Sequence, residues 1–310
     1  MRAAKHDVPW FPGLVLAALV FTAVFASYLA PHSPTAGDIT QKLIPPLWME
    51  RGEWEHPLGT DRFGRDVLSR IIYGSRISLI VSLIAIGVAG TIGTLLGLIS
   101  GYRGGVTDAV LMRLTDVGLS LPTILIAVVL VAVSEPSFSN VVLVIAFLLW
   151  PRFARQMRGE TLAIKEQDFV ALAVVAGRSS AWIISRHIFP NVVPTLLVIS
   201  TLQVGYVVLL EGTLSFLGVG VPPPSPAWGL MIADGRGFLA TAWWISLFPG
   251  LAMVLTVLSV NLLGDWLRDH LDPKLRQLGR AAVLEAPAAA SVGPVDEAPV
   301  RGAAAGGDGA

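Results

Sequence analysis

Three carboxylates, Asp116, Glu211 and Asp265, lie in or beside long apolar stretches, where a proton- or sodium-coupled carrier would hold its ion. Each sits toward an end of its stretch: Asp116 ahead of Val117–Val133, Glu211 after Val192–Leu210, and Asp265 after Ala240–Leu263. Acids at that depth read as interfacial or helix-end charges, which disfavours a self-powered carrier. The histidines, His6, His32, His56, His187 and His270, are scattered without H-E-x-x-H or another ligand spacing, so no metal centre is expected. No G-x-x-x-x-G-K-[ST] loop occurs, which excludes ATP hydrolysis by that motif. Ser, His and Asp do not gather on neighbouring apolar stretches as an intramembrane protease would need. With no cysteine, the chain has no disulfide, thiolate ligand or cysteine nucleophile. These residues point away from catalysis and from any cofactor.

The segment from Arg158 to Asn191 carries a different signal. Asp168 reads as a helix N-cap and Gly177 as the natural stop. Between them Phe169, Leu172, Ala173 and Ala176 follow the i, i+3, i+4, i+7 spacing of one helical face, with Ala171 beside it. A short helix with an apolar face that is too brief to cross a membrane needs a protein partner.

The elements that must position this segment follow from composition. Of 310 residues, 54% are hydrophobic and 14% charged, far below the roughly one quarter charged of a soluble domain. Six apolar stretches, Phe11–Ala30, Ile77–Ser100, Val117–Val133, Val141–Ala154, Val192–Leu210 and Ala240–Leu263, are expected to span the bilayer. Backbone polar groups in hydrocarbon must be paired within the segment, so continuous apolarity without alternation predicts helices. The first stretch is too long for the core of a cleaved leader. The fourth is the shortest, because Pro151, Arg152 and Arg155 arrive early. Gly93, Gly97 and Gly101 share a face of the second stretch with Gly90, the spacing of close helix approach. Pro122, Pro194 and Pro249 are expected to bend their spans.

Net charge is zero, with 22 Lys+Arg against 22 Asp+Glu, so the overall balance suggests no nucleic-acid partner. Its distribution is uneven. Arg2, Lys5, Arg103, Arg113, Arg152, Arg155, Arg158, Lys165, Arg178, Arg186, Arg268, Lys274, Arg276, Arg280 and Arg301 fall on the side of the termini. Lys42, Arg51, Arg62, Arg65, Arg70, Arg76 and Arg236 fall on the other, and the excess predicts cytoplasmic termini. Asp61–Arg76 reads as an amphipathic helix lying on the outer surface, and Ser215–Trp228 as a fixed outer loop whose Trp suits an interface. Residues 275–310, rich in Ala, Gly and Pro, read as a disordered tail.

The 158–191 segment resembles the cytoplasmic loop of the permease subunits of ABC importers, E-A-A, three residues, G, nine residues, I-x-L-P. Ala173, Gly177 and Pro190 agree with that pattern, whereas Ala171 stands in place of the acid, Leu172 of the first Ala, His187 of the Ile and Phe189 of the Leu. His56-Pro57-Leu58-Gly59-Thr60-Asp61, Tyr73-Gly74-Ser75-Arg76 and Glu211-Gly212-Thr213-Leu214-Ser215-Phe216-Leu217-Gly218 narrow the resemblance to the dipeptide, oligopeptide and nickel importers. Within that group it is to the second, C-type permease of the pair.

The resemblance implies an all-α polytopic fold of the type I ABC importer permeases over residues 11–274, with a cytoplasmic N-terminus at 1–10, in a bacterial cytoplasmic membrane. It implies a second homologous permease, two cytoplasmic ABC ATPases, an extracytoplasmic peptide-binding protein and a peptide substrate. Asp168, Phe169, Ala171, Leu172, Ala173, Ala176 and Gly177 would form the helix that couples to an ATPase. A nickel or glutathione importer is the near alternative, and a self-sufficient carrier or channel the distant one.

Overall fold

The computed structural model describes residues 9–134 and 137–271, all in helices, turns and loops. The expected tail at 275–310 and nearly all of the N-terminal 1–10 segment lie outside these residues. The helices are α1 (Trp10–Val24), α2 (Val67–Arg103), α3 (Gly105–Ser120), α4 (Thr123–Val133), α5 (Phe138–Lys165), α6 (Asp168–Val175), α7 (Phe189–Phe216), α8 (Trp228–Gly235) and α9 (Trp244–Leu271). Short helical turns at Ala26–Leu29, Ile39–Gln41, Ser180–Ile183, Ile184–Ile188 and Arg236–Phe238 join them.

All six apolar stretches fall on helices, but not all as simple spans. Among the described residues four helices are long and apolar enough to cross a bilayer: α2, α5, Ser180–Phe216 including α7, and α9. The third stretch is broken rather than straight, because α3 and α4 meet at 89°. The cause is Pro122, which forces Leu121 into an extended conformation (φ −79°, ψ 139°) and cannot continue the ladder. Counted as one bent span, the pair makes a fifth crossing. With 15 residues, α1 reaches only about 22 Å and falls short of the hydrocarbon thickness. The shortest expected span becomes one of the longest helices, since Ser137 caps α5 through Asn140 N–H and Pro151 is carried inside it. Helices α7 and α9 likewise run through Pro194 and Pro249.

The bundle is organised by the glycine face of α2. A Cβ at Gly93 would stand 2.5 Å from the Trp150 carbonyl oxygen, one at Gly97 2.6 Å from that of Ala154, and one at Gly101 2.7 Å from Thr161 Cβ. Only glycine permits that approach, and the rising numbers on both helices make α2 and α5 parallel. Around this seam Val81, Ala85, Ile145, Leu149, Phe153 and Leu214 form the largest buried cluster. The C-termini of α2 and α5 therefore lie at one end of the bundle, where Lys165 Nζ donates to the Tyr102 carbonyl (2.9 Å).

Candidate coupling site

At that end the chain turns after α5 into α6, the helix expected between Asp168 and Gly177. Its start differs by one residue: Gln167 is the N-cap, without a side-chain bond, and Asp168 is the first helical residue. Its acid still lies favourably at the positive end of the helix dipole. The stop is Gly177, with φ +70°. Gly177 N–H donates to Val174 O (3.0 Å) and Arg178 N–H to Ala173 O (3.1 Å), which together satisfy the final carbonyls.

The apolar residues of α6 divide between two faces. Val170 and Ala173 are buried and join Leu98, Met157, Ile183, Ile188 and Val192 in a cluster that seats the helix on the bundle. Phe169, Leu172 and Ala176, expected on one face with Ala173, are instead exposed, as is Ala171. Leu172 is 69% exposed and Val175 86%. At 8 residues, about 12 Å, and flanked by Lys165, Glu166 and Arg178, the helix is neither long enough nor apolar enough at its ends to lie in hydrocarbon. Covering a side chain of this kind contributes about 1.5–3 kcal/mol, so this ridge favours a partner surface. Phe169 and Trp182 both pack on the His187 ring (centroids 5.8 and 5.0 Å), and the Arg178 guanidinium lies 4.8 Å over Trp182.

The return into the membrane is continuous. Ile184–Ile188 winds as a π-turn, with Phe189 N–H bonded to Ile184 O, immediately before Pro190. Pro190 has no N–H to complete a regular turn there, and the wider winding accommodates its ring.

Behind α6 the helix ends are joined by a bidentate ion pair that the sequence did not reveal. Arg158 Nε and Nη2 of α5 donate to Asp108 Oδ1 and Oδ2 of α3, each at 2.6 Å, and Ser100 Oγ of α2 donates to Asp108 Oδ1 at 2.5 Å. This joint ties together three helices. Arg155 also pairs with Asp116, but both side chains are more than half exposed, so that contact contributes little.

The opposite end of the bundle departs most from expectation. Asp61–Arg76 is not a helix lying on the surface. Residues 61–66 form a tight turn closed by the Thr60–Asp66 bridge, and Asp66 caps α2 through Ser69 N–H (2.7 Å). Arg65 Nε donates to Asp61 Oδ2 at 2.6 Å, with buried Arg70 at 3.7 Å from the same oxygen, and Arg62 and Arg65 reach Asp234 in the last turn of α8. Trp228 is 1% exposed, not interfacial; its Nε1 donates to Ile71 O (3.0 Å), and Trp244 Nε1 donates to Thr60 O (3.1 Å). Asp38 caps Ile39–Gln41; the Thr40 hydroxyl and then its backbone N–H hold that carboxyl below the usual carboxylate range.

Glu211, expected as a helix-end charge, is buried within α7, where it accepts from Ser215 Oγ (2.6 Å). Asp265 lies inside α9 rather than beyond it. The histidines are not all scattered either: His32 and His56 come together beside Asp66. Nothing in local spacing could pair Asp66 with His32 and His56.

A family model for the binding-protein-dependent transport system inner membrane component matches residues 93–277. The chain is 44% identical over 266 residues to the dipeptide transport system permease protein DppC of Escherichia coli, covering 86% of this chain and 89% of that protein. It is 42% identical over 266 residues to the corresponding Haemophilus influenzae protein, covering 86% and 90%. It is 39% identical over 263 residues to the di/tripeptide transport system permease protein DppC of Pseudomonas aeruginosa, covering 85% and 87%. A multi-pass helical membrane bundle joined to an exposed apolar ridge on a short helix is what a transport subunit driven by another protein requires, and this chain belongs to the family of binding-protein-dependent transport system inner membrane components.

Proposed function

We propose that this chain is a transmembrane permease subunit of an ATP-driven importer that carries dipeptides or oligopeptides across the bacterial cytoplasmic membrane. It works with a second homologous permease, two cytoplasmic ABC ATPases and an extracytoplasmic peptide-binding protein. The peptide assignment rests on relatives named for dipeptide and di/tripeptide transport that align along 85–86% of the chain.

The observation that carries the mechanism is the division of α6 into a seated face, Val170 and Ala173, and an exposed ridge, Phe169, Leu172 and Val175. The ridge inserts into a cleft of one ATPase. Closure of the ATPase pair on ATP displaces α6, and the Leu98–Met157–Ile188 cluster together with the Asp108–Arg158 joint passes the movement to α2, α3, α5 and α7. The pathway then turns from inward- to outward-facing.

The basic excess on the 158–191 side supports a cytoplasmic loop and cytoplasmic termini, with α1 and the Ala26–Leu29 turn together making the sixth crossing that this requires. Residues 11–274 form the permease domain, and 1–10 and 275–310 are cytoplasmic extensions. Asp168 and Gly177 delimit the coupling helix, Phe169, Ala171, Leu172 and Ala176 meet the ATPase, and Ala173 seats it.

The test is peptide uptake by the assembled transporter in liposomes. A Phe169→Ser/Leu172→Ser double variant is expected to remain folded while ATP-driven uptake collapses. Full uptake by that variant, or uptake by this chain without an ATPase, would reject the coupling role.

A further inference from the structure

At the end of the bundle opposite α6, one nitrogen each of His32 and His56 and one oxygen of Asp66 lie within 4.8 Å of one another. Histidines and carboxylate come from distant stretches of chain and meet at the start of α2. His56 Nδ1 stands 3.1 Å from Asp66 Oδ1, and the His32 and His56 rings are 4.7 Å apart. Each member is held by contacts outside the trio. Asp66 Oδ2 accepts from Ser69 N–H, His32 N–H donates to Ser69 Oγ at 3.0 Å, and His56 Nε2 lies 3.4 Å from Gln41 Oε1.

The electrostatics of the trio are incomplete. The Asp66 side chain is 0% exposed, yet no Lys or Arg pairs with it among the described residues. Of the neighbouring cations, Arg65 pairs with Asp61 and Asp234, and Arg70 stands 3.7 Å from Asp61 and donates to the Pro34 carbonyl. A buried carboxylate beside imidazoles calls for a compensating positive charge. A divalent ion supplies that charge and uses both rings.

We infer that His32, His56 and Asp66 form a binding site for a divalent first-row ion of the Zn²⁺ type, which ties the segment preceding α2 to the start of that helix. Two imidazoles and one carboxylate are a ligand set that Zn²⁺ accepts, with the fourth position left to water. Ligand atoms around such an ion stand about 3.4 Å apart, close to the His56–Asp66 separation. His56 and Asp66 are buried and fixed, whereas His32 is exposed, so rotation of the His32 ring closes the remaining gap and provides the route of entry. Ligation through His56 Nδ1 uses the neutral tautomer that carries its proton on Nε2, facing Gln41 Oε1, and forms three bonds to the ion without redox change.

The inference does not depend on the transported substrate, and neither does its test. The complete transporter, carrying an affinity tag free of histidine, is dialysed against ZnCl₂ alone and its bound metal measured. Co²⁺ is substituted in parallel and its visible absorption recorded. Expected are about one Zn²⁺ per copy of this chain, a Co²⁺ spectrum of nitrogen and oxygen ligands, and a zinc-dependent rise in the unfolding midpoint. His32→Ala, an exposed change compatible with folding, is expected to weaken binding at least as much as the roughly 10–100-fold typical of losing an outer-shell partner. His56→Ala should abolish it, and His187→Ala at the other end should leave it unchanged. Zinc retention equal in the wild-type and His32→Ala proteins, or removed by a simple wash, means an adventitious ion only and overturns the site.

Discussion

The two ends of this bundle solve opposite problems. At the end built from residues 32–76 and 217–244, polar contacts hold the chain together: Asp61 with Arg65, the Ile71 carbonyl with Trp228, the Thr60 carbonyl with Trp244. At the end that carries α6, the chain leaves Phe169, Leu172 and Val175 uncovered. One end is tied together by contacts spanning more than 150 residues of sequence; the other carries the ridge on which the proposed coupling rests. The difference separates stability from coupling. A tied end resists deformation, and an exposed ridge is free to be engaged and moved.

Substitutions of graded severity test that separation. The largest loss is expected from Asp61→Ala, which leaves buried Arg70 without its counter-ion and Arg65 with Asp234 alone and should cost about 3–5 kcal/mol. Thermal unfolding of the purified protein in detergent measures it, and an unchanged midpoint would mean that the ion network does not hold this end together. Gly97→Val comes next at about 1–3 kcal/mol, because its side chain would press on the Ala154 carbonyl and part α2 from α5. The same unfolding assay applies, with loss of a monodisperse peak as a second readout.

Gly177→Ala sits on the boundary between the two behaviours. Its φ of +70° is disfavoured for alanine by about 1–2 kcal/mol, but the cost falls on α6 alone. Hydrogen exchange should quicken across residues 168–178 while the rest of the chain keeps its protection. The smallest change in stability, within about 0.5 kcal/mol, is expected for Leu172→Ser, whose side chain is 69% exposed. Its effect should appear instead in ATP-driven peptide uptake, which should fall several-fold at unchanged expression. A Leu172→Ser protein that unfolds early but still transports would reverse the assignment of the two ends.

Where the local pattern carried the information, the expectation from sequence and the structure coincide. Gly93, Gly97 and Gly101 meet α5 as their spacing requires, Gly177 ends α6 with the positive φ that favours glycine, and Pro122 interrupts the third apolar stretch. The size of that interruption was not legible, because a proline removes a bond without specifying the angle that neighbouring helices then impose. The charged run from Asp61 to Arg76 was misread for a related reason. Alternating charge with apolar residues between describes a surface helix and a buried ion network equally well, and only the approach of Asp234, Trp228 and Trp244 distinguishes them.

By itself the sequence determined that the chain is a helical membrane protein, where its six apolar stretches lie, which face of α2 admits another backbone, and that a short apolar helix lies between Asp168 and Gly177. Each of these rests on spacing within a few turns, and helical periodicity operates over that range. The tertiary structure alone decided which residues of α6 turn inward, that Asp108 and Arg158 lock three helix ends, and that His32, His56 and Asp66 share one corner. Those arrangements join residues as far apart as Asp108 and Arg158 or Leu98 and Ala173, and such pairs are chosen by how whole helices pack, which no local pattern records.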